Sequence, residues 1–235
     1  TSSTTPGGGM VLREPAAETH EEASVSQAVP HTRPLFGPAG DLTVLGQLHG
    51  LYIICASAEG LVIVDQHAAH ERLTYEKMKH GLSNGTLPGQ GLLSPATMEL
   101  TPKESSLAQT QQADWARLGL EMGPFGGNTW VVMSVPPILA GQDPVPIVRD
   151  LLSELSLAGV PAGTPEFLEV GLRSLACRAS IKSGQRLGDR ELHELVAKSA
   201  ALPPPVTCPH GRPVFLKISR RELAKYFKRS AEPLS

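Results

Sequence analysis

Asp65, His67, Glu71 and Glu76 crowd into one short stretch, Asp65-Gln66-His67-Ala68-Ala69-His70-Glu71-Arg72-Leu73-Thr74-Tyr75-Glu76. Neutral imidazole and carboxylate oxygen are ligands that zinc and manganese accept. His67 and Glu71 are four apart, so one helix face presents both to a common point, with Asp65 arriving from the residue before the helix. A second donor pair lies far along the chain, in Cys208-Pro209-His210-Gly211-Arg212-Pro213. Residues two apart on extended chain point the same way, so Cys208 and His210 are expected to reach one ion from a loop stiffened by Pro209 and Pro213. Together with His67 and Glu71 they make a zinc-like ligand set. Each half also has an ordinary reading. An Asp at a strand end commonly caps the next helix, and a single His or Glu on a helix is commonly a solvated group. Cys177, in Ala176-Cys177-Arg178, is of a type more often buried in a core than used as a ligand, although its helix could pass behind the site.

The elements that must hold these residues follow from pattern. Residues 42–48 predict a first strand. Leu51-Tyr52-Ile53-Ile54-Cys55 and Leu61-Val62-Ile63-Val64, with Glu59-Gly60 between them, predict a β-hairpin that ends at Asp65. A helix is expected from about Ala68 to His80-Gly81, before the turn-rich stretch 83–89. The middle of the chain reads as short strands at 92–93 and 96–100, a helix over 103–118, a strand pair at 119–122 and 129–135, and a helix over 145–157. Thr164-Pro165-Glu166 starts a helix well, with a capping hydroxyl, a proline in the first turn and an acid on the helix dipole. That helix should turn Leu168, Leu172, Leu175, Ala176 and Ala179 inward and stop near Ser183-Gly184. Asp189 is expected to cap a further helix to about Ala200. Pro203-Pro204-Pro205 breaks the chain, residues 214–218 read as a strand, and residues 221–229 as a basic helix.

Composition sets limits. The chain has 235 residues, 40% of them hydrophobic, enough for one good core or two small ones. No apolar run approaches the roughly 20 residues that span a bilayer, and the start lacks a basic-then-apolar leader, which predicts a cytoplasmic protein. Three cysteines do not make a disulfide framework. A formal charge of -2 argues against a strongly basic nucleic-acid binder. The last segment is nevertheless basic, with Arg212, Lys217, Arg220, Arg221, Lys225, Lys228 and Arg229 against Glu222 and Glu232. Residues 1–33 are rich in Ser, Thr, Gly, Pro, Ala and Glu without apolar periodicity and read as a tail or linker of the kind that joins a C-terminal piece to something longer. Order is expected from Pro34-Leu35-Phe36.

Asp65-Gln66-His67-Ala68, Glu71 and Glu76 at their spacing resemble the signature of the endonuclease-bearing C-terminal domain of MutL-type mismatch-repair proteins. Ala176-Cys177-Arg178, Cys208-Pro209-His210-Gly211-Arg212-Pro213 and Phe227-Lys228-Arg229 match further motifs of that family in order. The resemblance runs over about residues 40–232. It implies an α+β fold in two subdomains, with 34–81 and 164–235 forming a dimerisation and endonuclease subdomain and 82–163 an inserted external one. It implies a homodimer and a metal-dependent endonuclease that nicks duplex DNA. Asp65 and Glu71 would serve catalysis. His67, Glu71, Cys208 and His210, with Cys177 nearby, would hold metal: zinc to organise the site, and manganese or magnesium for the chemistry. Glu76, Arg178, Arg212, Phe227 and Arg229 match motif positions without an assigned step.

Gln90-Gly91-Leu92-Leu93-Ser94-Pro95 is similar to the peptide by which this family docks on the β sliding clamp, with Gln90, Leu92, Leu93 and Pro95 as its contacts. Gln142-Asp143-Pro144-Val145-Pro146 is a second Gln-led segment, more simply read as a helix start. Further implied partners are duplex DNA, bound weakly by this domain alone, and a MutS-type mismatch-recognition protein reached through the full-length protein, all on the bacterial nucleoid. The competing function is a dimerisation and scaffold module with a structural zinc. A small-molecule hydrolase is disfavoured because no Gly-rich phosphate loop is present.

Overall fold

A computed structural model describes residues 1–2, 42–181 and 184–229. The rest of the expected tail, the expected onset of order near Pro34 and the expected helix stop at Ser183 lie outside the described residues. Among the described residues the chain is mixed α and β with two antiparallel sheets. In the first sheet β1 (Thr43–Leu48), β2 (Tyr52–Ser57), β3 (Gly60–Asp65) and β7 (Phe215–Ser219) lie side by side in the order β1-β2-β3-β7. The second sheet has the order β4-β6-β5, from β4 (Gln90–Glu99), β5 (Glu121–Gly126) and β6 (Thr129–Val135).

The first sheet is amphipathic because its register aligns like with like. Ile53 pairs with Val64 and Cys55 with Val62, and all four side chains are buried. The alternate row, Ile54 opposite Ile63 and Ile63 opposite Leu216, faces the other way. On that face Leu216 is 57% exposed, and Leu45 on β1 is 61% exposed.

Helix α1 (Gln66–Ser83) is the spine of the molecule. Ala68 and Ala69 pack with Leu192, Leu195 and Val196 of α6 (Asp189–Ala200) in the core under the first sheet. Tyr75 and Met78, farther along the same helix, lie in a second core. That core is built by β4 to β6, α2 (Pro102–Thr110), α3 (Gln112–Arg117), α4 (Pro144–Ala158) and α5 (Pro165–Arg178). Trp115 and Phe167 meet edge to face in it at 5.2 Å, a geometry that adds about 0.5–1.5 kcal/mol beyond area burial. Phe167, Leu168, Leu172, Leu175 and Ala176 of α5 all belong to this second core, so the sequence-based boundary at 164 cuts through it. A last helix, α7 (Arg220–Tyr226), follows β7.

Several boundaries move from their expected places. The helix expected over 103–118 is two, broken at Gln111, which leaves helical backbone at φ -119° and is 3% exposed. Strand β4 runs through both expected short strands, with its pairing interrupted between Gly91 and Ala96. Helix α5 ends at Arg178, before the expected stop. Gly188, not Asp189, precedes α6, and its N–H donates to Glu191 at 2.8 Å. The final helix ends at Tyr226, with Phe227 as its C-cap.

Candidate metal centre

Strand β3 delivers Asp65 to the N-terminus of α1, where its Oδ1 accepts from the Ala68 N–H at 2.8 Å. The acid is therefore an N-cap, a bond worth about 1 kcal/mol. It also lines a cavity of about 170 Å³ with Gly50, Tyr52, Gln66, His67 and Arg212. His67, in the first turn of α1, sets its Nδ1 2.8 Å from the carbonyl oxygen of Ile181. A carbonyl only accepts, so Nδ1 donates to it, and Nε2 is the ring nitrogen left to offer a lone pair. The segment after α5 that offers this carbonyl is fastened by glutamines. Gln47 and buried Gln66 both donate to the Gln185 carbonyl, at 3.1 and 3.0 Å, and contact each other.

Glu71 lies one turn beyond His67 and has 0% exposure. Its carboxylate, the Cys177 thiol and a ring nitrogen of His210 all lie within 4.8 Å of one another. Glu71 Oε1 is 2.5 Å from His210 Nδ1, while Oε2 is 3.4 Å from Arg212. The Oε1 contact is close but lacks the angles of a regular hydrogen bond, and Oε1 is among the buried atoms without such a partner. Burial, then the carboxylates of Glu71 and Glu154, push the Cys177 thiol above its ordinary range. A carboxylate, an imidazole and a thiol with one buried oxygen unsatisfied suit a zinc-like ion, so the donor set fits the metal that the sequence implies. His70 faces a different neighbourhood. Burial, and then His67, lower its pKa.

The loop that brings His210 is folded differently from expectation. It is a turn: Gly211 N–H donates to the Cys208 carbonyl at 2.8 Å, Cys208 N–H to the Arg212 carbonyl at 2.8 Å, and Thr207 bridges Pro213. Gly211 has φ +84°, which a Cβ would strain. The turn sends Cys208 inward, 2% exposed, and leaves the His210 side chain 41% exposed, so the two do not point alike as they would on extended chain. Cys208 and His67 stand outside the group formed by Glu71, Cys177 and His210. Pattern alone read Cys177 as a core residue, while the family resemblance put it near the ligands; the packing of α5 against α1 sets its thiol beside Glu71.

The remaining motif residues separate. Arg212 joins the two halves, lining the Asp65 cavity and reaching Glu71. Glu76 pairs with Arg72 at 2.7 Å. Arg178 pairs with Asp150 on α4. Phe227 and Arg229 lie in the turn that closes α7. Leu92 leans on the second core, whereas Leu93 is fully exposed. Gln90, Leu92 and Leu93 line one groove of about 370 Å³ together with Gln142, Asp143 and Pro144, so both Gln-led segments meet there. Pro95 is exposed beside it.

A family model described as MutL C terminal dimerisation domain matches residues 45–187. The chain belongs to this family. The match to the MutL C-terminal domain contains Asp65, His67, Glu71 and Cys177 and stops before Cys208. The chain is also similar to proteins named DNA mismatch repair protein MutL. That of Geobacter sulfurreducens is 38% identical over 193 residues, 82% of this chain and 32% of that protein. That of Paramagnetospirillum magneticum is 37% identical over 222 residues, 93% of this chain and 37% of that protein. The chain thus spans about a third of the length of the curated MutL relatives it matches. Among the described residues no helix is long and apolar enough to cross a membrane.

Proposed function

We propose that the chain is a metal-dependent DNA nicking endonuclease domain that acts in mismatch repair as a homodimer. The observation that carries this reading is Glu71, a wholly buried carboxylate with Oε1 unsatisfied, held against a thiol and an imidazole beside a cavity that contains Asp65. Glu71, Cys177 and His210 would hold the ion. His67, with Nε2 open, and Cys208, next to His210 in its turn, would complete the set, as the resemblance implies. A bound zinc would organise the site, and manganese or magnesium would stabilise charge on the scissile phosphate and acidify water. Asp65 supplies a carboxylate at the cavity that accepts a proton or orients a nucleophile. Arg212, between Asp65 and Glu71, offers a guanidinium for a phosphate oxygen.

The dimer would form on the open face of the first sheet, where Ile54, Ile63 and Leu216 form an apolar row. The β sliding clamp would seat the groove lined by Gln90, Leu92 and Leu93, with exposed Leu93 as its anchor. The basic segment around Arg220 and Lys225 would steer duplex DNA, and a MutS-type protein would act through the longer protein in the cytoplasm. Incubation with supercoiled plasmid, Mn²⁺ and clamp tests the reading. Nicking by the unsubstituted chain and its loss in Asp65→Asn support it, and equal nicking by both proteins, or none by either, overturns it.

A second reading has one observation in its favour. Asp65 already has a structural task as N-cap, so an acid at this position is equally at home in a scaffold module with a structural zinc. Asp65→Asn keeps much of the cap, because Asn caps about as well as Asp. The substitution therefore separates the two roles.

A further inference from the structure

Arg72 belongs to none of the proposed ligands, yet it spans the gap between the two chain segments that carry them. It sits on α1 one position after Glu71. Its Nη1 donates to the carbonyl of Thr207 at 3.1 Å, and its Nη2 meets Glu76 Oε1 at 2.7 Å. Thr207 is the residue before Cys208 and forms the base of the turn through its bridge to Pro213. The guanidinium is mostly covered, with 21% of the side chain exposed, and its Nε is buried without a hydrogen-bond partner. An i,i+4 ion pair near the surface contributes little to stability, so the consequence of this contact lies chiefly in the tie it makes between α1 and the Thr207 carbonyl.

We propose that Arg72 and Glu76 are a positioning pair that locks the Cys208–His210 turn onto α1 at the height of Glu71, and so sets the affinity of the metal centre. The inference rests on the metal site proposed above. The physical argument is geometric. Glu71 is fixed by the helix, whereas His210 rides on a turn closed by its own backbone hydrogen bonds. Arg212, 3.4 Å from Glu71, ties that turn to α1 on its C-terminal side, which leaves its N-terminal side to Arg72. The Arg72 bond to the Thr207 carbonyl fixes the base of that turn to the helix. Glu76, one turn later, holds the planar fork in the orientation that reaches the carbonyl. This gives Glu76 a task with no direct contact to metal or substrate. Groups that orient ligands in this way typically change metal affinity by roughly 10- to 100-fold when removed.

The test is zinc affinity by competition with a chromophoric chelator on the intact chain, for Arg72→Met, Glu76→Gln and the double variant, with far-UV circular dichroism and sedimentation alongside. Arg72→Met is expected to bind zinc about 10-fold or more weakly. Glu76→Gln should weaken binding less, because the carbonyl bond survives. The double variant should be no weaker than Arg72→Met, since Glu76 acts through Arg72. Unchanged affinity in both single variants overturns the inference, as does a double variant weaker by the full product of the two. If Arg72→Met does not fold, Glu76→Gln alone decides: a weaker zinc complex with unchanged dichroism supports the pair, and wild-type affinity overturns it. Failure of the unsubstituted chain to bind zinc overturns the metal site itself, and this inference with it. Equal binding by wild type and variants removes only the pair.

Discussion

Glu71 Oε1 lies 2.5 Å from Nδ1 of His210, although the two residues are 139 positions apart and Glu71 has no exposure to solvent. A buried carboxylate so placed needs a counter-charge, from a protonated imidazole, the Arg212 guanidinium or a cation. The fold supplies Cys177 as a third donor at the same point. We expect Cys177→Ala and His210→Ala each to lower zinc retention by at least about 10-fold, read by elemental analysis after dialysis. Full retention in either variant would remove that residue from the ligand set.

The exposed Leu93 separates binding from folding. Its side chain is wholly in solvent, whereas Leu92 packs on the second core. Leu93→Ala should shift stability by no more than about 0.5 kcal/mol and yet lose clamp binding in a surface-resonance titration. Leu92→Ala should lose binding and stability together. Undiminished clamp binding by Leu93→Ala would exclude this groove.

Self-association should depend on the open sheet face. Leu216 stands 57% exposed beside Ile63, so Leu216→Glu costs little in a monomer but places charge into an apolar interface. Sedimentation velocity should show the wild-type dimer and a monomeric variant with unchanged helix content. A variant that still dimerises would move the interface elsewhere.

Much of this architecture was legible in the sequence because it is local. Thr164-Pro165, the β2–β3 hairpin and the alternation through Val62 and Val64 are short-range signals, and each element formed where its cap or period placed it. The second core was less legible. The break at Gln111 has no Gly or Pro to announce it, and α5 joins the core of the middle region through packing that periodicity does not reveal. The site was legible in its residue types and illegible in its assembly. Cys208 and His210 diverge because Gly211 closes a turn, and Cys177 approaches only because α5 crosses α1. The Ile181 carbonyl that sets the His67 tautomer has no side-chain signature at all.

Gly50 offers a test of how the cavity wall is built. It has φ +65°, and a Cβ there would come 2.6 Å from the backbone oxygen of Gly184, whose N–H donates to the Gly50 carbonyl at 3.1 Å. Gly50→Ala combines left-handed strain with a backbone clash and should destabilise by about 1–3 kcal/mol in chemical denaturation. A change below about 0.5 kcal/mol would mean that the wall yields freely.

Cys55 should be chemically silent. Burial raises its thiol to about 11, so below that pH it stays protonated, and its lack of exposure keeps reagents out. Native iodoacetamide treatment at pH 8 followed by peptide mass spectrometry should leave Cys55 unmodified until the chain is denatured. Rapid native labelling would contradict the packing of the first sheet.

The central claim is that Glu71 anchors a metal ion, and Glu71→Gln tests it most directly because it keeps the shape of the side chain while removing its charge. Protein purified without added ions should carry zinc in the wild type and essentially none in Glu71→Gln, measured by inductively coupled plasma mass spectrometry on samples of matched circular dichroism. Equal zinc in the two proteins, or none in the wild type, would contradict the account.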